Sequence, residues 1–157
     1  MGANRVVVAV ASRLMRAAMA TEEELLAAAT YQGLHQGQPF EVRLENRQPG
    51  LCLVLEGPVS TALPAATITA IQRAVAALPG RRAYADLSDC SYLGSGAIAC
   101  LMEFLRLASP RGAGPVAVVN PHPRALTVLR MIGLSNFFIT LADDEAVGTW
   151  MAEQPKR

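Results

Sequence analysis

From residue 40 to residue 152 the hydrophobic pattern keeps changing period, from the two-residue repeat of a strand to the 3.6-residue repeat of a helix. Phe40–Glu45 alternates, with Val42 and Leu44 apolar and Glu41, Arg43 and Glu45 polar, as a half-exposed strand does. Asn46–Gly50 reads as a turn. Leu51–Leu55 is an unbroken apolar run, the mark of a buried strand, so these two segments predict a hairpin. Ile68, Ile71, Val75 and Leu78 then recur at helical spacing, with Ser60 or Thr61 as the cap and Pro79-Gly80 as the stop. A short strand at Arg82–Asp86 follows.

The next helix spans Gly96–Ala108, with Ile98, Leu101, Leu105 and Ala108 on one face and Glu103 and Arg106 on the other. Ser109–Pro115, rich in proline and glycine, breaks it. Val116–Val119 is a buried strand, and Arg124–Ile132 is a helix begun through Pro121 and Pro123 and stopped at Gly133. Phe137–Thr140 is the last strand. Asp143–Met151 is a final helix whose acidic first turn suits the macrodipole. The order is ββαβαβαβα. Strands separated by helices need crossover connections, so the expected fold is α/β with a mostly parallel sheet and an antiparallel edge from the first hairpin.

The 157 residues suffice for one domain with a real core, here residues 40–152, with 153–157 a tail. Residues 1–39 form an N-terminal extension. Thr21 and Glu24 have capping-box spacing, which predicts a short helix at about residues 22–30, and Gly33–Pro39 reads as a linker. Met1–Ala20 carries Arg5, Arg13 and Arg16, no acid and a short apolar patch at Val6–Val10. That is a weak match to a leader peptide, and translation starting at Met15 or Met19 explains it equally well. The longest uncharged stretch, Gly57–Gln72, falls short of the ~18 apolar residues a membrane span requires.

With a formal net charge of +1 there is no electrostatic reason to expect nucleic acid or an anionic membrane as partner. Cys52, Cys90 and Cys100 are odd in number, lie in apolar runs and have no CxxC spacing, so they read as reduced core thiols of a cytoplasmic protein. His35 and His122 are far apart and lack the company of a metal site; no metal or other cofactor is expected.

Several segments, in this order, resemble the STAS domain family, over roughly residues 40–152. Leu53-Val54-Leu55-Glu56-Gly57-Pro58-Val59-Ser60 is similar to its second strand and the turn into its first helix. Ala83-Tyr84-Ala85-Asp86-Leu87-Ser88 resembles its third strand, and Tyr92-Leu93-Gly94-Ser95-Gly96-Ala97-Ile98 resembles its acid-serine-serine-glycine loop. Val116-Ala117-Val118-Val119-Asn120, followed by Leu126, Leu129, Ile132-Gly133-Leu134 and Phe137, is similar to a later strand–helix stretch of the family. The resemblance implies a protein-binding regulatory domain of the anti-sigma-factor-antagonist type, in which the loop's second serine accepts a phosphate. That serine is Ser95. Leu93 stands in place of the usual acid and Gly94 in place of the first serine, while Ser95 and Gly96 keep the pattern.

The implied partner is an anti-sigma factor that is also a serine/threonine kinase of the histidine-kinase-like ATPase type. The alternative is unphosphorylated docking, on the ATPase of a lipid-transport complex or in a stress-signalling assembly. Asp86, Ser88, Asp89, Leu93, Gly94, Gly96, Ala97 and Cys100 are the candidate partner-binding residues around Ser95. Ser88, Ser91 and Thr61 are alternative hydroxyls on the same edge. Read without the family, Gly94-Ser95-Gly96 is a strand-to-helix joint whose serine caps the helix. No nucleophile–histidine pair, paired carboxylates or Walker motif points to an enzyme.

Overall fold

The computed structural model describes residue 8 and residues 20–60, 62–78, 82–108 and 115–154. Thr61, Pro79-Gly80, nearly all of the Ser109–Pro115 break and most of Met1–Ala20 lie outside the described residues. The first described helix, α1 (Glu22–Ala28), carries the expected capping box: the Glu24 amide donates to the Thr21 hydroxyl at 3.2 Å, and the Thr21 amide donates to the Glu24 carboxylate at 3.2 Å.

Strands and helices then follow as β1 (Thr30–His35), β2 (Gln38–Asn46), β3 (Leu51–Glu56), β4 (Pro58–Val59), α2 (Ala65–Ala77), β5 (Ala83–Asp86), β6 (Tyr92–Leu93), α3 (Ser95–Ala108), β7 (Val116–Val119), α4 (Pro123–Met131), β8 (Phe138–Leu141) and α5 (Asp144–Glu153). The main sheet has six strands in the order β1-β2-β3-β5-β7-β8. β1–β2 and β2–β3 are antiparallel, and β3–β5, β5–β7 and β7–β8 are parallel. This is the α/β architecture expected, with its antiparallel edge one strand wider. β4 and β6 make a separate two-stranded parallel ribbon.

Two local expectations need correction. Gly33–Pro39 is no linker: β1 runs through Gly33 to His35, turns at Gln36-Gly37 and pairs with β2 from His35↔Gln38 to Thr30↔Arg43. Both turn residues have positive φ, 49° and 78°, which is what a two-residue hairpin loop requires. Within β1, the Phe40 ring from the facing strand lies where a Cβ on Gly33 would stand, so the glycine serves a strand and not a flexible tether. Second, Ser60 does not cap α2. The N-cap position is Pro64, and the Ser60 hydroxyl is buried with no hydrogen-bond partner among the described residues.

The sheet's alternation sorts its side chains onto two faces. Phe40, Val42, Leu44, Leu53, Leu55, Ala85 and Val118 join one core with Ile71 and Ala74 of α2, Ala97, Leu101 and Phe104 of α3, and Ala125 and Leu129 of α4. Cys52, Val54, Tyr84, Ala117 and Val119 form a second core with Val147 and Met151 of α5. Asp143 caps α5, accepting from the Ala146 amide at 2.8 Å.

Candidate functional site

The strand-to-helix joint before α3 is built by the small ribbon. The Gly94 amide donates to the Val59 carbonyl at 2.8 Å, and the Gly94 carbonyl accepts from the Ile98 amide at 2.9 Å. A Cβ at Gly94 would come within 2.6 Å of the Ser60 carbonyl oxygen and 2.7 Å of its Cα, so only glycine fits. Ser95 is therefore the first residue of a 14-residue helix, fixed by its neighbour and exposed. Its hydroxyl stands at the positive end of the macrodipole, beside amides that have no partner within the helix.

Its neighbours divide sharply. Leu93 is 2% exposed and pairs with Val59, Gly94 is buried, Ala97 is wholly buried, and Cys100 is 7% exposed. Of these four candidate partner contacts, Leu93, Ala97 and Cys100 have their side chains in the core, and Gly94 offers only backbone. Gly96 is half-buried and Asp89 exposed. The Asp89 carbonyl accepts from the Gly57 amide at 2.8 Å, and the Ser91 amide donates to the Gly57 carbonyl at 3.2 Å, so the loop from Asp89 to Ser95 is clipped to β3 and β4 along its length.

Asp86 faces elsewhere. It pairs with Val54 across the sheet and lies on the α5 side, in a cluster organised by Arg47. Arg47 Nη1 donates to Asp86 Oδ2 at 2.9 Å and to Asp144 Oδ1 at 3.2 Å, while its Nε donates to Glu45 Oε2 at 2.7 Å. The Tyr84 hydroxyl donates to Asp144 at 3.0 Å. Ser88 donates to Asp86 Oδ1 through its amide at 3.0 Å and through its hydroxyl. Burial alone would raise the Asp86 pKa, but Ser88 and the Arg47 guanidinium outweigh it and hold the carboxyl below its ordinary range. Asp86 and Ser88 thus fasten the start of the loop to the sheet.

Sequence reading placed Tyr92 in the Ser95 loop but missed Leu34 and His35 beside it. The His35 and Tyr92 rings stack, with centroids 5.8 Å apart and planes at 4°, joining the hairpin to the Ser95 loop, and Leu34 beside them is 69% exposed. The signal was present in Gln36-Gly37, a two-residue turn between segments of strand length. His122 caps α4, its Nδ1 accepting from the Arg124 amide at 3.2 Å. Among the described residues no group of three or more His, Cys, Asp or Glu is placed to hold a metal ion, and no helix is long and apolar enough to cross a membrane.

Among solved structures the chain is similar to an anti-sigma-factor antagonist (STAS) domain protein from Planctomyces limnophilus, with a TM-score of 0.52, over 70% of this chain and 96% of that one. The chain has the STAS fold. Identity to that STAS protein is 16%, so the likeness is one of fold. No protein-family model matches the sequence, and no curated protein does.

Proposed function

We propose that the chain is a protein-binding regulatory domain, not an enzyme, whose partner meets the rim around Ser95 and is released when Ser95 is phosphorylated. The observation that carries this reading is the position of Ser95, exposed at the start of α3 with Leu93 and Gly94 before it and Ala97 after it buried. A kinase can reach such a hydroxyl, and a partner can lie flat against the helix end. The helix N-terminus tolerates the phosphate itself. Its charge of roughly −1.5 to −2 therefore acts across the interface, by desolvation and repulsion. The likeness to an anti-sigma-factor antagonist domain favours an anti-sigma factor as the partner; the proposal adds that this partner is also the kinase and that the two meet in the cytoplasm. Asp89 and Gly96 complete the contact surface, and Asp86 and Ser88 position it.

One observation favours a second reading, constitutive docking without phosphorylation. Leu93, where the family carries an acid, is packed away from solvent against Val59, so its side chain does not flank the hydroxyl at the surface. A pull-down with wild type, Ser95→Ala and Ser95→Asp, with intact masses of bound and unbound protein, separates the two. The switch predicts capture by wild type and Ser95→Ala, loss with Ser95→Asp, and an added phosphate only on unbound wild type. Equal capture by all three with no phosphate leaves Ser95 as a structural helix start.

A further inference from the structure

Apart from Val8, the large apolar side chains that the described residues expose lie in two places. Leu34 (69%) and Tyr92 (49%) sit by the β1–β2 hairpin tip; Met131 (81%), Ile132 (47%) and Phe137 (55%) sit where α4 ends and β8 begins. β1 and β8 are the two edges of the sheet. The hairpin tip lies at the end where the parallel strands finish, because Glu41 beside it pairs with Glu56 at the end of β3, and Phe137 lies where β8 starts. The two patches therefore occupy opposite corners of the molecule.

They also differ in charge. Beside Leu34 is an open groove of about 700 Å³ whose lining includes Glu41, Glu56 and Asp89. Arg43, on the strand that lines it, is divided among three carboxylates: Glu41 at 3.6 Å, Glu45 at 2.6 Å and Glu56 at 2.8 Å. Among the described residues the groove keeps a net negative charge. At the other patch, Arg130 stands beside Met131 and is exposed, and residues 125–140 contain no acid.

We infer that these are the two halves of one head-to-tail interface, so that the Arg130–Met131–Phe137 corner of one copy docks in the Leu34–Glu56 groove of a second. Both halves expose apolar surface, and the basic Arg130 of one faces the acidic groove of the other. Because the halves lie on opposite corners, filling one leaves the other open, and the assembly grows beyond a dimer unless its rotation closes it.

Sedimentation velocity of the full chain tests this, using Leu34→Asp to spoil the groove and Met131→Asp to spoil the corner. Both residues are more than two-thirds exposed, so neither change disturbs the core, and circular dichroism verifies the fold. Wild type should sediment faster as concentration rises, past the dimer, and high salt should slow it. Each variant alone should remain monomeric. Their equimolar mixture should stop at a dimer, since one sound groove meets one sound corner. A second corner variant, Arg130→Glu, should behave as Met131→Asp does. Wild type that stays monomeric at every concentration, or a mixture that does not dimerise, overturns the inference. A variant that dimerises by itself also overturns it, because it would show a symmetric contact.

Discussion

Gly94 leaves no room for a side chain, and Leu93 leaves none for a charge. Gly94→Ala would press a methyl group onto the Ser60 carbonyl and Cα, both backbone, and should lower stability by about 1–3 kcal/mol in urea unfolding. Leu93→Asp, which restores the family's acid, should cost at least about 3 kcal/mol, since it removes a buried leucine and buries a carboxylate in its place. An unchanged midpoint for either would mean that the joint is looser than described. The thiols make a third prediction. Burial pushes Cys52 up to about 12, and Cys90 and Cys100 up to about 11. A thiol reagent at mildly alkaline pH should find none of the three reactive in the native chain and all three after denaturation. The strand-to-helix joint at Gly94-Ser95-Gly96 was legible in the sequence, because glycines around a serine before an apolar helix mark such a turn, whereas the serine's part in a switch came from the family resemblance alone. The burial of Ala97 and Cys100 was not legible, because it depends on how α2 and the sheet pack against α3, and the spacing within α3 does not contain that.

At the scale of elements, Arg47 ties three of them together: Glu45 of β2, Asp86 of β5 and Asp144 of α5. Arg47→Met leaves these carboxylates without their shared cation. The side chains of Arg47 and Asp86 are 21% and 17% exposed, but Asp144 is 43% exposed, so the loss should be about 2–3 kcal/mol, below that of a fully buried network. The pH dependence follows from Asp86 and Glu45. Burial opposes ionisation at both, but hydrogen bonds to Arg47, with Ser88 at Asp86 and Arg43 at Glu45, keep both below their ordinary range. Their stabilisation is therefore present above the unfolded pKa of about 4 and is lost as pH falls through the lower folded value. The difference between wild type and Arg47→Met should be largest near neutral pH and shrink in acid; a constant difference would remove the network from the account. Arg47 was invisible to sequence reading because it lies in a turn, where an arginine ordinarily means only solubility. β1 was misread for a related reason. Two glycines and a proline resemble a linker until Gln36-Gly37 is taken as the loop of a hairpin, with Gly33 covered by Phe40.

For the whole molecule, the alternation of strand and helix periods from Phe40 onward was enough to give the sheet its parallel centre and antiparallel edge, because a strand–helix–strand order admits few other packings. What periodicity cannot state is how much of each sheet face is covered. Among the described residues four helices contribute to one core and α5 alone to the other, which leaves the β1–β2 side of the second face to charged ladders such as Glu41, Arg43 and Glu45. The surface that remains beside the strand ends, from Tyr92 to Ser95, is where the proposed partner docks. Hydrogen exchange on the complex captured in the pull-down tests this most directly. Amides from Tyr92 to Ala99 should slow on binding and recover when Ser95 is phosphorylated, with those of α5 unchanged. Slowing confined to α5, with the start of α3 exchanging as in the free chain, would contradict the account.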